Sequence, residues 1–116
     1  MKKTILVVDD EPDIREMNRL VLESEGFRVV LAGSGEECIE KLKTNKVDLV
    51  LLDIMMPGMQ TKDILPKVKV KVIFVSSVQM TSEEKEELFR SPNVAGYLSK
   101  PYDKKEFISA VKAALR

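Results

Sequence analysis

The sequence predicts an α/β fold, a single open sheet of parallel strands covered by helices on both faces. Three observations carry that prediction. Five short apolar runs rich in Val, Ile and Leu recur along the 116 residues. Several of these runs are continuous rather than alternating, as expected of strands buried on both faces. Amphipathic segments with helix start and stop signals separate them, so the chain reads as strand then helix, five times over. Right-handed crossovers then leave few topologies open.

The elements follow in order. Thr4 to Val8 is the first strand. Pro12 stands near the start of the first helix and Gly26 just past its end, the usual asymmetry of helix termini. Ile14, Met17 and Val21 lie between them at helical spacing, which points to a core-facing stripe. After a second strand over Phe27 to Ala32, Ser34 and Glu37 have the spacing of a capping box and open the second helix. Cys38 and Leu42 share a face of that helix and read as core. The third strand is Val47 to Leu52.

The next crossover is irregular. Residues 54 to 71 must hold a helix and its loops, yet Pro66 falls where the helix should run. Proline clashes with the carbonyl four residues back, so a shortened third helix is expected. Val68, Val70 and Val72 alternate with Lys67, Lys69 and Lys71. Such a period of two could extend the fourth strand, Val70 to Val75, backwards. Thr81 with Glu84 starts the fourth helix, Gly96 to Leu98 is the fifth strand, and Asp103 with Glu106 starts the fifth helix.

Composition narrows the function. With 44% apolar residues, 1 to 116 suit one domain with one core. Nineteen basic residues balance nineteen acidic ones, so overall charge gives no sign of nucleic acid as a partner. Histidine is absent and Cys38 is the only cysteine, which removes disulfides, cysteine/histidine zinc sites and serine-histidine triads together. Chemistry must come from carboxylates, hydroxyls and lysines. Lys2 and Lys3 precede an apolar run that meets Asp9 at once, too short for a signal peptide or a membrane span. A cytoplasmic chain is expected, either freestanding or trimmed from something longer.

In open parallel sheets, ligands bind beyond the carboxyl ends of the strands. The residues there are Asp9 and Asp10 after the first run, Asp53 after the third, Ser76 and Ser77 after the fourth, and Lys100 after the fifth. Each alone is unremarkable, because an acidic pair after a strand is usually solvated loop and a Lys-Pro is usually a turn. Together they conflict: carboxylates about 4 Å apart repel by roughly 4 kcal/mol at an effective dielectric near 20. A magnesium ion with oxygen ligands resolves the conflict, and Lys100 adds positive charge. A carboxylate so placed is a nucleophile toward phosphorus, with both cations stabilising the transferring group.

Val7-Val8-Asp9-Asp10, Leu51-Leu52-Asp53-Ile54-Met55-Met56-Pro57-Gly58-Met59, Val75-Ser76-Ser77 and Tyr97-Leu98-Ser99-Lys100-Pro101-Tyr102 resemble the receiver domains of two-component signalling, along the whole chain. The resemblance implies a flavodoxin-like sheet of order 2-1-3-4-5. It implies that Asp53 accepts the phosphoryl group from a sensor histidine kinase or a histidine phosphotransfer protein. Asp10 and Asp53 would hold Mg2+ directly, Asp9 through water, and the Met55 carbonyl as a backbone ligand. Ser76 corresponds to the switch hydroxyl, Ser77 and Lys100 to phosphoryl contacts, and Tyr97 to the aromatic that turns inward with the switch. The Lys100–Pro101 bond would be cis. Output would pass through the fourth helix, fifth strand and fifth helix to a downstream protein, with no direct nucleic acid or membrane contact.

Departures concern loops more than chemistry. Gln60-Thr61 replaces a usual Asp-Gly, and Ser77 replaces a common alanine. Met55 and Val78 stand where family members tune the lifetime of the phosphorylated state, and neither side chain orients water by a strong hydrogen bond. Ile14 and Met17 read first as core and second as an apolar rim for a kinase helix. Three alternatives stay in view. A phosphatase resembling haloacid dehalogenases would carry a second Asp two residues after the first, where this chain has Met55. A dinucleotide-binding or purely structural sheet is the second, but the turn after the first strand is Asp9-Asp10-Glu11-Pro12 and lacks glycines. The third is the input half of a larger regulator.

Overall fold

The computed structural model describes residues 2–54 and 64–116. Five parallel strands form one sheet: β1 (Thr4–Val8), β2 (Arg28–Ala32), β3 (Leu49–Asp53), β4 (Lys71–Ser76) and β5 (Val94–Ser99). Their order is β2-β1-β3-β4-β5, as the resemblance implies. Four α-helices lie wholly within the described residues: α1 (Pro12–Ser24), α2 (Gly35–Thr44), α3 (Ser82–Phe89) and α4 (Lys104–Ala114). The last two are the fourth and fifth helices expected from the sequence. The shortened third helix expected from the sequence falls mostly on residues 55–63, outside the described residues; of that crossover the described residues show Ile64 in helix and a 3-10 turn at Leu65–Lys67 with Pro66 inside it. Gln60-Thr61 lies outside the described residues.

α2, α3 and α4 start where polar side chains satisfy free backbone N–H groups. Ser34 accepts from the Glu37 N–H, Asp103 from Glu106, and Thr81 forms a complete reciprocal box with Glu84. Pro12 opens α1, and Gly26 follows it at φ 90°, a left-handed turn that suits glycine.

The apolar runs divide between two cores because successive strand residues face opposite sides. Ile5, Val7, Leu49, Leu51, Ile73 and Val75 pack under α1 and α4 with Leu22, Phe107 and Val111. Leu6, Val8, Val50, Leu52, Val72 and Phe74 pack on the other face with Cys38 and Val68. Full burial of a side chain such as Leu52 or Phe74 stabilises the fold by about 1.5–3 kcal/mol. Cys38 is wholly buried, as expected, and burial pushes its thiol up to about 11. Met17 departs from the core reading, being 56% exposed, with Leu20 beside it at 57%. Ile14 is only half-buried. The stripe is real, but α1 rolls so that Leu22 and Asn18, rather than Met17, face inward.

The alternating stretch at 68–70 is also not strand, since β4 begins at Lys71. Val68 is buried and Lys69 exposed, as the pattern predicts. The carbonyls of Val68 and Val70 accept from the side-chain amide of Asn93, both at 3.0 Å. A side chain thus takes the place of a ladder. Replacing Asn93 with Leu removes both donors, and should lower unfolding free energy by about 2 kcal/mol. Urea titration reads the change, and a loss below about 0.5 kcal/mol would mean that water replaces the amide.

Candidate functional site

The parallel ladder brings the strand ends together at one edge of the sheet. Asp9 follows β1 directly, its N–H donating to the Ala32 carbonyl at 3.1 Å. Asp53 is the last residue of β3, and its neighbour Ile54 donates to the Val75 carbonyl at 3.1 Å. Ser76 ends β4 in register with Ser99, and the Lys100 N–H donates to the Ser76 carbonyl at 2.7 Å. Register alone therefore places four of the expected residues.

Electrostatics then organises them. Carboxylate oxygens of Asp9, Asp10 and Asp53 all lie within 4.8 Å of one another. Asp9 and Asp53 are buried while Asp10 is exposed. Lys100 reaches across the edge, its Nζ donating to Asp9 Oδ2 at 2.8 Å and to Asp53 Oδ2 at 3.1 Å. Burial pulls the Lys100 ammonium down, but its hydrogen bonds to the two acids outweigh this and hold it well above the usual lysine range. The other Asp9 oxygen, Oδ1, accepts from the Glu11 N–H at 2.9 Å.

Supports behind this cluster were not legible in the sequence. Arg15 Nη1 donates to the Asp9 carbonyl at 2.6 Å. Tyr102, two residues past Lys100, shares hydrogen bonds with buried Asn18 of α1 at 3.0 and 3.2 Å, and its ring packs on Phe107 with centroids 5.2 Å apart. The Lys100–Pro101 bond is cis, as the resemblance implies. Helical spacing from Glu11 hints that Arg15 faces the loop, but no pattern tells where its guanidinium ends.

Ser76 is buried and its hydroxyl already engaged. The Val78 N–H donates to Oγ at 3.0 Å, and the hydroxyl donates back to the Val78 carbonyl at 2.9 Å. Tyr97 donates to that same carbonyl at 3.4 Å, and Lys85 lies over its ring at 4.9 Å. Ser77 and Val78 are exposed, and with Ser76, Gln79, Ser99 and Lys100 they line an open cavity of about 270 Å³. Met55 lies outside the described residues, so the carbonyl ligand and the lifetime position expected there have no structural account.

Three carboxylates within reach of one point, one of them exposed, have the donor set that suits a hard divalent cation. Fold and site together define a cluster of three acids and one lysine on the carboxyl edge of a doubly covered parallel sheet. The sequence profile of the response regulator receiver domain matches residues 5–112, and the chain belongs to that family. It is 33% identical to the response regulator GtcR of Aneurinibacillus migulanus over 120 residues, all of this chain and 49% of that protein. It is 35% identical to the DNA-binding response regulator MtrA of Mycolicibacterium smegmatis over 118 residues, all of this chain and 52% of that protein. The chain therefore spans about half the length of these curated relatives. Among solved structures, the response regulator TrrA of Thermotoga maritima in complex with Mg(2+)-BeF superposes with a TM-score of 0.81 at 34% identity, covering 97% of this chain and 99% of that one. A CheY-like receiver domain protein from Methanospirillum hungatei superposes at 0.87 with 28% identity, covering 99% and 94%.

Removing the shared ammonium should expose the conflict among the acids. Lys100→Met leaves two buried carboxylates without their common partner, and should cost about 3 kcal/mol. A divalent cation should restore part of that loss by mass action. A lysine held above its ordinary value contributes fully below that value and loses its contribution only as pH rises through the raised one. The lysine's share of the deficit should therefore stay flat from pH 7 to 9. Asp10→Asn, which removes one like charge, should raise metal-free melting by a few degrees, and unchanged melting in both variants would place the acids too far apart to interact.

Proposed function

We propose that this chain is the phosphoacceptor of a two-component phosphorelay, receiving a phosphoryl group on Asp53 from the phosphohistidine of a sensor histidine kinase or a histidine phosphotransfer protein. The observation that carries the reading is the Asp53 carboxylate held between Lys100 at 3.1 Å and the carboxylates of Asp9 and Asp10. No histidine occurs in these 116 residues, so a phosphohistidine donor lies outside them. Exposed Met17 and Leu20 on α1 give such a partner an apolar contact.

In the transfer, an Asp53 oxygen attacks phosphorus in line with the donor imidazole. The new P–O bond forms as the P–N bond breaks, and the electron pair leaves with the imidazole. Asp10 and Asp53, with Asp9 through water and the Met55 carbonyl, would hold Mg2+, which supplies charge neutralisation at the phosphoryl oxygens. Lys100 pairs with a phosphoryl oxygen, and Ser77 contacts another. Ser76 must release the Val78 carbonyl to donate to the phosphoryl group, and because Tyr97 uses the same acceptor, one exchange perturbs both residues. The face of α3, β5 and α4 then changes for a downstream partner.

The protein catalyses its own transfer and a slow hydrolysis, and acts as a switch rather than as a turnover enzyme. The reading takes residues 1–116 as one receiver domain working in the cytoplasm, with no nucleic acid or membrane contact of its own. Among the described residues no helix is long and apolar enough to cross a membrane. The DNA binding named for MtrA belongs to that protein.

Incubation with acetyl phosphate and magnesium should add one phosphoryl group by intact mass, and Asp53→Asn should abolish it. Equal labelling of that variant would move the acceptor elsewhere. Lifetime gives a second expectation. Met55 and Val78 offer no strong hydrogen bond to an attacking water, so the phosphorylated state should decay slowly. Met55→Asn with Val78→Glu should shorten the decay severalfold, and a double variant no faster than wild type would refute the role of these two positions.

A further inference from the structure

We propose that Arg15 is a positioning residue for the cation site, and that Gly33 is glycine to seat it. The inference rests on the cation-site reading above and concerns residues outside the acid cluster itself.

Asp10 is the acid whose aim needs a physical cause. Its side chain is exposed and makes no hydrogen bond or ion pair with any described residue. Its direction must come from the backbone. The peptide joining Asp9 to Asp10 is a rigid plane, so the direction of the Asp9 carbonyl sets where the Asp10 nitrogen and Cα lie. That carbonyl accepts from Arg15 Nη1 at 2.6 Å, while the Asp9 N–H is fixed to the Ala32 carbonyl at 3.1 Å. Arg15 therefore grips the plane that carries Asp10. Asp9 itself does not need this grip, since both its carboxylate oxygens are held by Glu11 N–H and Lys100.

Gly33 supplies the seat. A Cβ at Gly33 would fall 3.0 Å from Arg15 Nη1 and 3.4 Å from its Cζ, so the guanidinium rests against a bare Cα. The seat is tied to α2, because the Gly33 N–H donates to Glu37 Oε1 at 2.8 Å. Arg15 makes no ion pair with any described residue, unlike Arg19 one turn on, which pairs with Glu16 and Glu23. A planar, permanently charged donor spent on one carbonyl makes sense where geometry matters more than charge. The clamp joins the end of β1, the first turn of α1 and the loop before α2.

Calorimetric titration with magnesium chloride tests this, with metal-free melting measured alongside. Arg15→Met should weaken magnesium binding about tenfold, in the range for lost outer supports of a metal site. Arg15→Lys should not rescue it, because an ammonium lacks the flat fork that lies against Gly33. Gly33→Ala keeps Arg15 and only displaces it, so it should weaken binding less, and should have no further effect once Arg15 is Met. Arg19→Met should bind as wild type. Lower melting with wild-type magnesium affinity in both Arg15→Met and Gly33→Ala would reduce Arg15 to a stabiliser of the loop and overturn the proposal. An equal effect of Gly33→Ala with and without Arg15 would overturn it too. If Arg15→Met does not fold, Arg15→Lys and Gly33→Ala decide the matter by the same affinities. Wild type that binds no magnesium would instead defeat the cation-site reading, and this inference with it.

Discussion

One ammonium shared between two buried carboxylates is the interaction on which the rest of this structure depends. Asp9 and Asp53 end the adjacent central strands β1 and β3, so the parallel sheet itself forces them together. Lys100 comes from the end of β5, beyond β4, and must cross the sheet edge to reach them. Its backbone is tied to Ser76, and the segment after it is tied to α1 through Tyr102 and Asn18. These ties hold the cation at the acids without a metal. They also leave Asp10, exposed and unpartnered among the described residues, as the acid most available to an arriving divalent ion.

The same edge carries a mechanical link. The Val78 carbonyl accepts from Ser76 and from Tyr97, one residue buried at the site and the other half-buried on β5. Any group that draws the Ser76 hydroxyl toward the acids must free that carbonyl. Lys85, in α3, sits over the Tyr97 ring, so the helix start fixed by the Thr81–Glu84 box is coupled to the same point. In the proposed phosphotransfer this is how a local charge becomes a change of surface, through exchange of acceptors rather than long-range strain.

The stretch just before β4 shows how a side chain can stand in for a strand partner. Val68 still reaches the core, and an amide from Asn93 satisfies the backbone that a longer strand would have paired. Polar backbone buried without partners is costly, and the Asn93 amide removes that cost at both carbonyls.

From the sequence by itself came the α/β class, the five strands to within a few residues, the helix starts at Ser34, Thr81 and Asp103, and the identity of the acids, Ser76 and Lys100 as strand-end residues. These were legible because they rest on local signals: apolar runs, capping spacing and the rule that strand ends gather at one edge. Only tertiary structure decided that Met17 faces solvent, since rotation of α1 about its axis depends on what it packs against. It alone showed that residues 68–70 pair with a side chain rather than a strand, because Asn93 is distant in sequence. It also decided that Arg15 ends on the Asp9 carbonyl beside Gly33, and that Tyr102 anchors on Asn18. Each of these contacts joins residues from different elements, and a long side chain's endpoint is set by three-dimensional packing that no local period encodes.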